Sequence, residues 1–179
     1  MNSEQSKKTT AKEIAVFGML GALMYASKMI MEFLPNIHLI GVFIVASTVV
    51  YRKKALYPIY VFVFLAGLLN GFGTWWIPYL YIWAVLWAVV MLLPKGMNRK
   101  KATVVYGITC GLHGLLYGVL YAPFQAIFYN LDFKGTITWI TAGLPFDAIH
   151  GLGNLIAGLI LIVPIIKLLK NAEKYTRKA

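Results

Sequence analysis

Apolar residues in this chain do not alternate with polar ones at a helical or a strand period. They run together in blocks of about 18 or more, the length that crosses ~30 Å of hydrocarbon as helix, and short polar connections separate the blocks. The pattern predicts helices over about 13–34, 37–51, 55–72, 76–94, 102–129 and 138–170. The second is short for a span, which suits a helix shielded by its neighbours. Barrel strands would alternate over ~10 residues, and these segments do not. The expected fold is an all-α integral membrane protein, a compact bundle of six transmembrane helices. It divides into a polar N-terminus (1–12), a six-helix membrane domain (13–170) and a basic C-terminal segment (171–179). No Pro/Ser-rich linker and no internal repeat subdivides it.

Charge then orients the bundle. Of the 17 basic residues, 15 fall at one end: Lys7, Lys8, Lys12, Arg52, Lys53, Lys54, Lys95, Arg99, Lys100, Lys101, Lys167, Lys170, Lys174, Arg177 and Lys178. Lys28 and Lys134 are the exceptions. By the positive-inside rule both termini are expected in the cytoplasm of a multi-pass cell-membrane protein, which agrees with an even number of spans. The net charge of +11 is accounted for by topology and contact with anionic lipid, and no nucleic-acid partner is called for.

Composition agrees: 60% of the 179 residues are hydrophobic and 13% charged, with a mean hydropathy of +0.72. The single cysteine, Cys110, lies within an apolar run and reads as a small buried residue. The polar start, MNSEQSKKTTAKE, lacks a signal-peptide cleavage site, so the first apolar segment is expected to remain in the mature protein.

Polar and aromatic residues gather towards the end opposite the basic one, expected to face outward. Lys28 and Glu32 are four apart near the end of helix 1 and are placed to pair. Asn36 and His38 follow in the connection. Trp75, Trp76, Tyr79 and Trp83 open helix 4. His113, Tyr117, Tyr121 and Gln125 recur every four residues on helix 5, and Asp147, His150 and Asn154 descend helix 6 at steps of three and four. Together they describe an outward pocket with flat walls and a few directed polar groups.

Each residue also has a structural reading. Trp75, Trp76 and Tyr79 suit an interfacial aromatic belt, and His113 suits a hydrogen-bonded structural histidine. Asp147, two residues after Pro145, suits the dipole of its own first helical turn. Asn154 suits a bond to a neighbouring helix. Read as a site, the stripe from Asp147 to Asn154 is one wall of the pocket, with Gly151 and Gly153 leaving room for a neighbour or ligand.

Several chemistries find no support. There is no GxxxxGK[ST] phosphate loop and no HExxH or paired His/Cys spacing, so no metal site is expected. None of the four serines has a GxSxG setting. Asp147 and His150 are placed as an acid–base pair without a nucleophile, so no catalytic residue and no cofactor is assigned. A full-depth chain of titratable groups, which a coupled secondary transporter needs, is absent. A solute-binding protein without its own power source is the leading reading; an autonomous secondary transporter and a small intramembrane enzyme are the alternatives.

That profile resembles the substrate-binding S components of energy-coupling factor (ECF) vitamin transporters, over essentially the whole hydrophobic chain. The phrases EFLPNIHLIG, WWIPYLYIW and GLPFDAIHGLGN are similar to those of a subgroup. Helix 1 carries the small-xxx-small pattern of the family in GMLGALMYA, as Ala22 and Ala26 extended backwards by Gly18. The resemblance implies that this stripe packs against a coupling transmembrane subunit, itself associated with two ATPase subunits. It further implies capture of a water-soluble vitamin or precursor, and release by toppling in the membrane. Such a stripe equally serves packing within the bundle. Stacked Trp and Tyr with Asp, His, Asn and Gln favour a small polar ring such as pyridoxine or a hydroxymethylpyrimidine, with riboflavin, thiamine, queuosine precursors and cobalamin-type ligands as the alternatives.

Overall fold

The structure, a computed structural model, describes residues 9–34 and 36–177. Lys7, Lys8, Lys178, Pro35 and most of the expected polar N-terminus lie outside the described residues. Seven α-helices follow in order: α1 (Ala11–Ile30), α2 (Ile40–Tyr51), α3 (Leu56–Asn70), α4 (Tyr79–Leu92), α5 (Arg99–Leu115), α6 (Tyr117–Phe128) and α7 (Phe133–Arg177). Short 3-10 turns at Arg52–Ala55 and Thr74–Trp76 lead into α3 and α4. No strand occurs among the described residues.

Among the described residues, four helical stretches are long and apolar enough to cross a membrane: Ala11–Ile30, Thr74–Leu92, Arg99–Phe128 and Phe133–Tyr175. The two shorter helices have a different role. α2 is apolar all round, and Ile40 to Thr48 are buried without a break, as expected of a helix enclosed by protein on every side. At ~1.5 Å per residue its 12 residues reach only part way across a bilayer, and α1, α4, α5 and α7 surround it. α3 packs mainly along α1. Gly21 meets Val61 and the Pro58 carbonyl, and Phe17 stacks on Tyr57 at 5.7 Å.

Polar links sort the helix ends into two sets. At one end Lys54 pairs with Glu13 at 2.8 Å, and Arg52, in a left-handed backbone at φ 53°, donates to the Met91 carbonyl while Trp87 donates to its own. At the other end the Tyr25 hydroxyl bonds Asn70 and the Tyr121 hydroxyl bonds the Trp75 carbonyl. The Arg and Lys clusters lie at the first end and the tryptophans of the Thr74 turn at the second.

The largest helix contact is between α5 and α7. Gly107, Gly111, Gly114 and Gly118 form a smooth face, and α7 lies directly on it. A Cβ on Gly107 would meet Leu159, one on Gly111 would meet Leu155, and one on Gly114 would sit 2.9 Å from the His150 carbonyl and 3.0 Å from Gly151 Cα. Without hydrophobic drive inside lipid, close backbone approach supplies the van der Waals contact that joins helices.

Three details of the sequence reading change. The fifth expected helix is broken at Leu116 into α5 and α6. The sixth starts at Phe133 and runs on through Arg177, absorbing most of the expected C-terminal segment, so Pro145 lies inside α7 and does not start it. Asp147 is therefore not in a first helical turn. Lys28 and Glu32 form no ion pair; helix α1 ends at Ile30, which takes Glu32 out of helical register.

Gly114→Val should lower the stability of the purified protein by ~2 kcal/mol or more, because the atoms it meets include backbone. Gly18→Ala, whose added methyl meets nothing within 4 Å, should leave it unchanged or slightly higher. Thermal unfolding in detergent reads both.

Candidate functional site: a ring cluster with unpartnered polar atoms

The α5–α7 register decides where the polar stripe of α7 points. Its three members part company. Asp147 lies against Gly118, and both carboxylate oxygens accept the Gly118 N–H at 3.1 Å. Gly118 is in the first turn of α6, where backbone N–H groups lack helical acceptors. Asp147 thus caps a helix N-terminus and complements its dipole, but the helix is α6 and not its own. A Cβ there would displace Asp147 Oδ2 and so disturb the cap.

Asn154 is 1% exposed and lies between α5 and α2, beside Gly114 and Gly41. His150 points into a cluster of rings. Its imidazole is 4.7 Å from that of His38 and 5.0 Å from the Tyr117 ring. At the centre is Trp83, wholly buried. Around it stand His38 at 5.9 Å, His113 at 5.7 Å, Tyr117 at 5.8 Å, Tyr79 at 5.4 Å and Phe62 at 6.0 Å. The chain of rings continues from Tyr117 to Tyr121, and from Tyr121 to Trp139, stacked at 5.9 Å.

Elements far apart in sequence supply these rings. His38 comes from the α1–α2 connection, Trp83 from α4, His113 from α5, Tyr117 from α6 and His150 from α7. Burial among the rings holds the His38 imidazole down at about 4, with Lys28 and His113 adding to the effect, so it is uncharged at neutral pH.

The chemistry of the cluster lies in what its polar atoms lack. His38 Nδ1, Trp83 Nε1, His113 Nδ1, His150 Nε2 and both side-chain polar atoms of Asn154 are buried without a hydrogen-bond partner. Such atoms are rare in folded proteins, because each one costs ~1–3 kcal/mol. Those of His38, Trp83, His113 and His150 come together from four separate elements.

The other expected site residues stand at its margin or outside it. Trp75 contacts Tyr79 at 5.4 Å, and its carbonyl holds the Tyr121 hydroxyl. Trp76 donates to the Val63 carbonyl at 2.7 Å and packs against Phe72 and Gly67, a clamp between the Thr74 turn and α3. Gln125, half-buried, lies one turn beyond Tyr121, and Asn36 is exposed in a left-handed turn at φ 60°. His113 and Tyr117 prove as central as any residue singled out for the pocket. Their signal was the four-residue run through Tyr121, which shares α5 and α6 with the glycine face.

On α1, Ala22 and Ala26 are exposed and Gly18 is half-buried. The bundle uses Gly21 in their place, and no helix among the described residues covers Ala22 or Ala26. The described residues hold no group of three or more His, Cys, Asp or Glu placed for a metal ion.

Comparison of the chain with protein families, with curated proteins and with solved structures finds no match.

The Asp147 cap is open to a direct test. Asp147→Ala should speed amide exchange at Gly118 and destabilise the protein by about 1–3 kcal/mol. Asp147→Asn, which keeps an acceptor but loses the charge, should fall between it and the native protein. Hydrogen–deuterium exchange of peptides spanning 116–120 reads the effect.

Proposed function

We propose that this chain is the substrate-specific binding subunit, or S component, of an ATP-driven ECF importer. In that role it captures a water-soluble vitamin or precursor from outside the cell. The observation that carries the proposal is the set of buried, unpartnered polar atoms among the rings of His38, Trp83, His113 and His150. Aromatic walls with a few directed polar groups are what small-molecule sites are made of. A small ring of the pyridoxine or hydroxymethylpyrimidine type suits their aromatic and polar character.

In this reading the chain crosses the membrane six times, with α2 and α3 as short spans shielded by their neighbours, and both termini lie in the cytoplasm. The positive-inside distribution supports the orientation, and the ring cluster then opens outward. The stripe of exposed Ala22 and Ala26 with half-buried Gly18 is the contact for the coupling transmembrane subunit, through which two ATPases act. Such a smooth groove favours a partner helix at close range. The engagement of Asp147 by Gly118 counts against an acid–base pair with His150, and so against the enzyme reading.

Purified protein should bind one vitamin-sized solute per chain, and uptake into vesicles should require the coupling subunit and the ATPases. Ala22→Trp or Ala26→Trp should abolish co-purification with the coupling subunit and transport, while leaving solute affinity within about threefold, because both face away from the bundle. Proton-driven uptake by this chain alone would overturn the assignment in favour of a secondary transporter. Cysteine labelling at 53 and 132 in intact cells tests the orientation, which predicts that only position 132 is accessible.

A further inference from the structure

Two of the unpartnered atoms have a fixed hydrogen-bonding direction. The Trp83 indole nitrogen carries a proton and can only donate. His113 Nε2 lies 3.1 Å from the Ile82 carbonyl oxygen. A carbonyl oxygen can only accept, so the proton is on Nε2 and His113 Nδ1 presents a lone pair. A doubly protonated His113 would bury both a charge and an unmet N–H among rings, which is costly at this depth. The two rings are 5.7 Å apart and tilted by 35°, yet neither atom has a partner. Residue exposures of 0% for Trp83 and 7% for His113 leave little access to bulk water. One fixed donor and one fixed acceptor, carried on rings 5.7 Å apart and unbonded to each other, suit a group with the opposite pair.

Ionised groups do not supply it. Asp147 is engaged by Gly118, and Lys28 acts on His38. The two nitrogens of His113 and Trp83 are neutral and opposite in polarity.

We infer that His113 and Trp83 are the specificity pair for an uncharged N-heterocycle whose edge carries a donor beside an acceptor, as in a 4-aminopyrimidine. The ligand N–H donates to His113 Nδ1, and a ring nitrogen accepts from Trp83 Nε1–H. The Ile82 carbonyl is the positioning group, since it fixes which nitrogen of His113 is free. The inference rests on the solute-binding reading above and narrows it to one ligand polarity.

The test is equilibrium binding to full-length purified protein, read by calorimetry, with three probes. They are 4-amino-5-hydroxymethyl-2-methylpyrimidine, its counterpart with methyl in place of the amino group, and its counterpart with C–H in place of both ring nitrogens. Removal of the amino group should weaken binding to the native protein by about 10- to 100-fold, the worth of a buried hydrogen bond whose site partner is left unmet. The same removal should have almost no effect in His113→Phe. Loss of the ring nitrogens should behave likewise, with its effect cancelled in Trp83→Phe. Each variant keeps an aromatic ring, and if His113→Phe fails to fold, the Trp83→Phe arm decides.

Equal binding of parent and amino-deleted probe by the native protein overturns the inference. So does a His113→Phe variant that weakens both probes equally, which would make His113 structural. Binding of pyridoxine, thiamine or riboflavin with no pyrimidine bound would overturn the ligand polarity and leave the binding function standing. Binding of none of these solutes would remove both.

Discussion

The close approach of α7 to the glycine face of α5 and α6 is the constraint on which the rest of the structure depends. Three glycines of α5 bring its backbone to within reach of α7 backbone atoms, Gly118 of α6 meets the Asp147 side chain, and this contact sets the rotation and depth of α7. In water, a helix of this length would be oriented by burying an apolar stripe. Within lipid that preference disappears, since apolar side chains are as well solvated outside as inside, and shape decides instead. Removing the glycine face would leave α7 without a defined register, and the polar stripe it carries would have no fixed address.

That register separates three polar residues that share a helix face. Asp147 falls opposite the break at Leu116 and caps α6, which stabilises the interruption it faces. Asn154 falls between Gly41 and Gly114. Only His150, between them, turns towards the rings. A one-step rotation of α7 would exchange these roles, so the cap and the cluster depend on the same contact. The break in turn lets Tyr117 and Tyr121 follow α6 towards Trp83 and Trp139.

Much of this was legible in the chain, and what was not has physical causes. Block hydropathy showed the helical, membrane-type architecture, because a long apolar run leaves few alternatives. The convergence of His38, Trp83 and His150 could be anticipated from their shared depth near one end. The break at Leu116 could not: no proline stands there, and the Gly118 N–H just beyond it is met by a carboxylate 29 residues downstream. The extension of α7 back to Phe133 was hidden by Pro145, which reads as a helix start and is tolerated inside the helix. The glycine pattern in YGITCGLHGLLYG was visible, but small-residue stripes on α1 and α5 look alike in sequence. One faces outward and the other holds the bundle together, and only packing tells them apart.

The stability of the bundle and the polarity of its ring cluster pull in opposite directions. An all-apolar cluster at this position would be the more stable arrangement, since no donor or acceptor would be left unmet. Retaining two nitrogens of fixed and opposite direction beside Trp83 makes sense where their bonds are completed from outside the chain. A ligand that supplies them relieves the cost it meets, so its binding raises the stability of the folded state in proportion to its own affinity. Rejection of a near-isostere follows from the same atoms, because a solute lacking the donor leaves His113 Nδ1 as unmet as it was before. Affinity and discrimination would then share one origin, the neutral polar edge that the α5–α7 contact and the Ile82 carbonyl hold in place.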